Sequence, residues 1–125
     1  MSTAEAVMTT QDVANRMKVL FNENRWAEVQ DELFADDVVS IEPEHSPGLK
    51  TAKGKAGLKQ KANDFNAMVE EVHGGWCSDP IVGGNHISFA MGMDVTMKGV
   101  GRTKMEEICV YEVKGGKVVK EQFFY

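Results

Sequence analysis

A Gly115-Gly116 pair separates two runs rich in β-formers, residues 106–114 and 117–125. Glycine accepts the positive φ angles that a two-residue hairpin loop demands, so this spacing predicts a tight antiparallel hairpin. Two further strand-like runs end at Gly83-Gly84 and Lys98-Gly99, giving predicted strands over about 73–82, 85–98 and 101–114. The middle one alternates Ile87, Phe89, Met91, Met93, Val95 and Met97 with His86, Ser88, Ala90, Gly92, Asp94 and Thr96. A period of two over a dozen residues marks a strand with one apolar face.

Helical signals are confined to the earlier part of the chain. Thr9, with Asp12 three residues on, forms a capping pattern, and Met8 and Val13 are spaced for a hydrophobic staple. Val13, Met17, Leu20 and Phe21 then make one apolar face. A short second helix should bury Trp26, Val29, Leu33 and Phe34, end at Asp36-Asp37, and lead into a short strand over 38–42. Pro43 favours an extended Glu42, because proline pushes the residue before it out of the α region. Residues 44–57 read as a polar loop. A third helix follows from Leu58, Ala62, Phe65, Val69 and Val72. Helices first and a long-stranded meander afterwards is an α+β layout: three N-terminal helices packed on a curved, mainly antiparallel sheet, an α+β cone roll. Such a sheet can enclose a pocket.

The 125 residues suit one domain, 1–125, with residues 1–9 expected to be flexible. A net charge of −5 argues against nucleic acid as a partner, since phosphate neutralisation needs a basic surface. No apolar run approaches the length of a membrane span, and the first ten residues carry no secretory pattern. Cys77 and Cys109 lack CxxC spacing and read as reduced packing thiols, which suits the cytoplasm. Histidines 45, 73 and 86 show no metal-ligand spacing, and nothing points to a metal or a cofactor.

The helices, the strand after Leu33-Phe34-Ala35-Asp36-Asp37 with Glu42-Pro43, and the terminal Val110-Tyr-Glu-Val-Lys-Gly-Gly-Lys-Val-Val119 together resemble the SnoaL-like domains. These belong to the cystatin-like α+β cone superfamily that also holds ketosteroid isomerases and nuclear transport factor 2. The resemblance runs from about Thr10 to Tyr125. It implies a cone-shaped pocket between sheet and helices, and commonly a homodimer formed through the sheet. It also places Glu42 where the isomerases carry an aspartate general base, just before a proline at the end of the first strand.

Alternation puts Val38, Ser40 and Glu42 on one face, which would leave Glu42 at the lip of a largely apolar pocket. A carboxylate in such surroundings holds its proton more tightly, as a proton-shuttling base needs. The isomerases also supply a first-helix tyrosine and a protonated late-strand aspartate to hold the oxyanion. This chain departs from both. Its tyrosines are Tyr111 and Tyr125, and the late-strand position falls on Cys109 or Glu107. Glu107 could be a neutral acid paired with Glu42; alternatively, Glu106 and Glu107 are an exposed and a half-buried residue paired to Arg102 or Lys104.

His45, near Glu42, is the histidine best placed for ligand contact. Asp94 sits mid-strand among small residues, as a pocket wall, an interface group or an exposed side chain. Trp76 and Phe124 read equally as cavity wall or core. The lysines at 50, 53, 55, 59 and 61 read as a solvated face rather than an anion site.

The missing first-helix tyrosine favours a domain that binds a small apolar or amphipathic molecule in an apolar pocket between sheet and helices. The alternatives are an acid–base enzyme of isomerase, cyclase or dehydratase type, with Glu42 as base and Glu107, Cys109 or Tyr111 as partner, and a structural or regulatory dimer with a filled cone. Both alternating sets of the last strands carry apolar residues, so the outer side of the sheet is expected to meet a second copy.

Overall fold

The computed structural model describes residues 7–125, so six of the nine residues expected to be flexible lie outside the described residues. Helix α1 (Thr10–Asn22) is closed by the predicted capping box. The Asp12 amide donates to Thr9 Oγ1 at 3.1 Å, and the Asp12 carboxylate accepts from the Thr9 amide at 3.0 Å. Its buried stripe is Val13, Ala14, Met17, Leu20 and Phe21. Helix α2 (Trp26–Leu33) buries Val29 and Leu33, while Trp26 stays 43% exposed beside the Phe21 ring.

Strand β1 (Phe34–Ile41) begins where helix α2 ends, earlier than expected. Asp36 and Asp37 therefore lie within the strand, in an irregular stretch of its ladder between Phe34 and Val39, and both are exposed. A two-residue strand β2 (Ala52–Lys53) pairs with β1 inside the segment expected to be a loop. Helix α3 (Gly54–Met68) follows. It stops short of Val69 and Val72, which the 3.6-residue spacing had included. Both instead open β3 (Val69–Cys77) as partners of Met97 and Val95 on β5 (His86–Met97). The tertiary ladder wins over helical periodicity here. Pro80, which has no amide hydrogen to donate, divides the expected 73–82 strand into β3 and the short β4 (Ile81–Gly83).

Strands β6 (Gly101–Lys114) and β7 (Lys117–Phe124) form the predicted hairpin, with Gly115 at φ 58° and Gly116 at φ 77°. Two positive φ angles in succession are the signature of a tight hairpin turn. The sheet order is β2-β1-β7-β6-β5-β3, with β4 on the β5 edge; β1 runs parallel to β7 and the other pairings are antiparallel. The result is three helices packed on a curved, mixed seven-stranded sheet, the α+β cone arrangement.

The core lies between the helices and one face of this sheet, with Phe89 edge-on to both Phe21 and Tyr111. One irregularity decides what that face presents. Val113 pairs with Val118, but Glu112 pairs with Lys120, so Val119 is an extra residue in β7. Such a bulge reverses strand parity. Val118 faces the core, and beyond the bulge Glu121 and Phe123 face it too, opposite Tyr111 and Cys109. Among the described residues no helix is long and apolar enough to cross a membrane.

Candidate active site

Three strands and one helix bring an acidic cluster together. Val38 and Ser40 of β1 and Glu42 just past its end share one face, as alternation predicts; that face is the inner one, and all three are buried. Parallel pairing sets Ser40 beside Glu121 of β7. Glu107 of β6 lies on the same face, two residues from buried Cys109 and opposite Met91 of β5. Lys61 reaches in from α3, where it falls between Leu58 and Phe65 on the sheet-facing stripe.

The polar groups satisfy one another. Lys61 forms an ion pair with Glu42, and its side chain is only 11% exposed against 4% for that of Glu42. Lys61 Nζ also donates to Ser40 Oγ at 2.8 Å, and the Ser40 hydroxyl donates to Glu121 Oε1 at 2.7 Å. The Tyr125 hydroxyl lies 2.7 Å from Glu42 Oε1 and 2.9 Å from Ser46 Oγ. The Lys61 ammonium sits 5.0 Å above the Phe123 ring, a cation–π contact. Thr51 Oγ1 accepts from the Glu42 amide at 3.2 Å, which ties the loop after β1 to the site. The largely apolar surroundings expected for Glu42 are therefore not found. A buried carboxylate needs a counter-charge and hydrogen bonds, and Lys61 and Tyr125 provide them.

Burial governs the proton affinities. It pushes Glu121 up to about 7, against the opposing pull of the Ser40 hydrogen bond and the Lys61 charge. Burial likewise raises Glu107, with Glu42 adding to the rise and the Cys109 contact at 3.6 Å and Lys61 opposing it. Tyr125 is pushed up to about 12, first by desolvation and then by its bond to Glu42. Cys109 and Tyr111 are raised by burial and are fixed as neutral groups. Burial thus favours the protonated form of both Glu107 and Glu121.

A hollow of about 270 Å³ opens beside Lys61 between α3 and the loop after β1, lined by Leu49, Thr51, Gln60 and Met68 among others. A second, of similar volume, lies by Trp76, Asp94 and Lys104. The first meets the acidic cluster through Lys61; the second is remote from it.

Of the residues singled out from sequence, Glu42, Glu107, Cys109 and Tyr111 share the inner face. His45 is exposed and edge-on to Tyr125, with ring centroids 5.9 Å apart, at the rim of the site. Tyr111 is core, stacked near Phe34 and Phe89. Trp76, Asp94 and Phe124 lie on the outer face of the sheet, away from the acidic cluster, with Trp76 and Asp94 beside the second hollow. Trp76 lies across Gly92 on the outer face, where a Cβ would collide with the indole. Asp94 is on that same face in a two-pronged pair with Arg102 at 2.9 and 3.0 Å. Phe124 is turned outward by the β7 bulge and is 49% exposed. Arg102 is thus taken by Asp94 and is not a partner of Glu107.

Ser40, Ser46, Lys61, Glu121 and Tyr125 were missed as site residues. Lys61 had a usable signal, since positions 58, 61 and 65 form one helical stripe. Glu121 had none, because strict alternation from Val118 assigns it to the outer face.

The chain matches the SnoaL-like domain over residues 8–125. It belongs to the SnoaL-like family. A comparison of this SnoaL-like chain with curated proteins finds no match. Among solved structures, a candidate SnoaL-like polyketide cyclase of Mesorhizobium loti, also designated a carbohydrate phosphatase, superposes with a TM-score of 0.88 at 34% identity. The match covers 94% of this chain and 100% of that one. A ketosteroid isomerase-like protein from Catenulispora acidiphila gives a TM-score of 0.70 at 19% identity, over 94% of this chain and 87% of that one. IdmH, a candidate polyketide cyclase of Streptomyces antibioticus, gives 0.66 at 20%, over 94% and 91%. The last two establish the shared fold alone.

Proposed function

We propose that this SnoaL-like protein is an acid–base enzyme of the cyclase or isomerase type, acting on a small molecule that carries an acidic C–H beside a carbonyl. The observation that carries this reading is the convergence of Glu42, Glu107 and Glu121 on one buried sheet face around a single lysine. Carboxyls whose proton affinity burial raises, as at Glu107 and Glu121, suit acid–base chemistry near neutral pH. Glu42, paired with Lys61, accepts the carbon-bound proton once Tyr125 turns aside from its Oε1. The electron pair left behind moves onto the carbonyl oxygen. Protonated Glu107 donates a hydrogen bond to that developing enolate, and the Lys61 ammonium stabilises its charge. Return of the proton to another carbon, or attack by the enolate on a second carbonyl, completes an isomerisation or a ring closure. The relationship to a candidate polyketide cyclase at 34% identity agrees with this class of substrate.

Exchange of α-protons with D2O tests the reading, with aryl 1,3-diketones as probes and NMR as the readout. The wild-type chain should exchange them faster than buffer does, and Glu42→Gln should abolish the excess. Saturable binding of the probes without exchange would favour the second reading, a binding domain. That reading draws support from Glu42 having both oxygens already engaged.

A homodimer through the outer sheet face fits this function. Ile108, Phe124 and Trp76 expose 44, 49 and 52% of their surface there. A strictly monomeric chain by light scattering at micromolar concentration would end the dimer proposal. Two unpaired thiols, Cys77 and Cys109, agree with a reducing, cytoplasmic setting.

A further inference from the structure

Glu121 has no contact with a substrate in the reaction outlined above, yet it is buried to 8% exposure on the site's own face. Its Oε1 accepts the Ser40 hydroxyl, whose oxygen accepts from Lys61, which is paired to Glu42, which in turn accepts from Tyr125. The chain of contacts is unbroken from Tyr125, 46% exposed at the rim, to the interior. One ammonium therefore serves two carboxyls, Glu42 directly and Glu121 through a single hydroxyl. The ionisable groups around Glu121 are Glu42 on β1, Lys61 on α3, and Glu107, Cys109 and Tyr111 on β6, so Lys61 supplies the positive charge of the cluster.

We propose that Glu121 is a positioning acid that trades charge with Glu42 through Lys61 and Ser40, losing its proton when Glu42 gains one. A buried cluster in a poorly polarisable interior resists any change in its net charge. When Glu42 becomes neutral, the Lys61 ammonium loses its direct counter-ion and the repulsion between the two acids disappears. Both changes favour the Glu121 carboxylate. One proton arrives at Glu42, one leaves Glu121 for water, and the cluster's charge is unchanged. In the ligand-free protein Glu42 is thereby able to take a proton without stranding a cation. The use of this exchange in turnover rests on the proposed role of Glu42, but the exchange itself does not.

The test is a pH titration of the full chain, carrying 13C-labelled glutamate carboxyls, by NMR without any ligand. Glu121→Gln assigns the Glu121 resonance by its loss. In Glu42→Gln the Glu121 midpoint should fall by about one pH unit or more, the size expected of directly coupled sites. In Lys61→Met it should rise; Lys61→Arg, which keeps the charge, should hold the midpoint near the wild-type value and covers the case in which the methionine variant does not fold. In the Ser40→Ala background, measured against Ser40→Ala alone because losing that hydrogen bond itself moves Glu121, Glu42→Gln should give a smaller shift, since the hydroxyl relay is gone. An unmoved midpoint in Glu42→Gln overturns the proposal, as does a shift of equal size with and without Ser40. Coupling without α-proton exchange would sink the enzyme reading alone; exchange without coupling would sink only the role given to Glu121.

Discussion

Strands β5 and β7 flank β6 in the same sheet, and their inner faces differ in kind. β5 presents Ile87, Phe89, Met91 and Val95, each buried and apolar. β7 presents Val118, Glu121 and Phe123, and beside it β1 adds Ser40 and Glu42. Burial on β5 follows from transfer of hydrocarbon out of water, which needs no partner. Burial on β7 is sustainable only because Lys61, Ser40 and Tyr125 meet the acids. The apolar half fixes the fold, whereas the polar half is held at some cost in stability and forms the candidate site.

The largest expected effect is on the apolar side. Phe89→Ala removes a fully buried ring that contacts Phe21 and Tyr111, and should cost about 3–5 kcal/mol of unfolding free energy at every pH. Urea denaturation at pH 5 and pH 8 measures it, and a marked difference between the two values would erase the distinction between the halves.

Glu121→Gln should behave in the opposite way. A carboxyl raised to about 7 keeps its proton in the folded chain after the unfolded chain, near 4.5, has lost its own. Its contribution is therefore neutral below about pH 4.5, turns increasingly unfavourable as pH rises to about 7, and levels off above. Removing the charge should leave stability at pH 4 nearly unchanged and raise it at pH 8, by on the order of 3 kcal/mol. Stability parallel to wild type across this range would show that Glu121 is not held protonated.

The bulge itself is tested by two neighbouring rings. Phe123→Ala should cost roughly 2 kcal/mol, since its side chain lies against the core and under Lys61. Phe124→Ala should cost the folded monomer about 0.5 kcal/mol or less. Reversal of that order in dilute samples would mean that β7 keeps strict alternation. The smallest effect belongs to the outer face, where Asp94→Asn breaks an exposed pair with Arg102 and should leave the denaturation midpoint unmoved between pH 5 and pH 8.

The contrast between β5 and β7 also separates what could be read from the chain from what could not. Six apolar residues at period two defined β5 without reference to any other strand, and Thr9 with Asp12 defined the start of α1 as firmly. Helix α3 was legible as a helix but not at its end, because Val69 and Val72 continue its apolar spacing while β5 recruits them as a strand. Phe124 was placed inward and Glu121 passed over for one shared reason, the additional Val119. Lys61 was grouped with four solvated lysines although its place between Leu58 and Phe65 pointed inward.

The sequence alone determined the three helices, the long strands β5 and β6, the hairpin at Gly115-Gly116 and the shared face of Val38, Ser40 and Glu42, since each of these depends on neighbours within a few residues. Only the tertiary structure decided which acids meet. The bulge at Val119 is fixed by the register of β7 against β6 and not by the alternation of β7 itself, and an ion pair between residues 19 positions apart, just past β1 and on α3, exists only once helix and sheet have closed on each other.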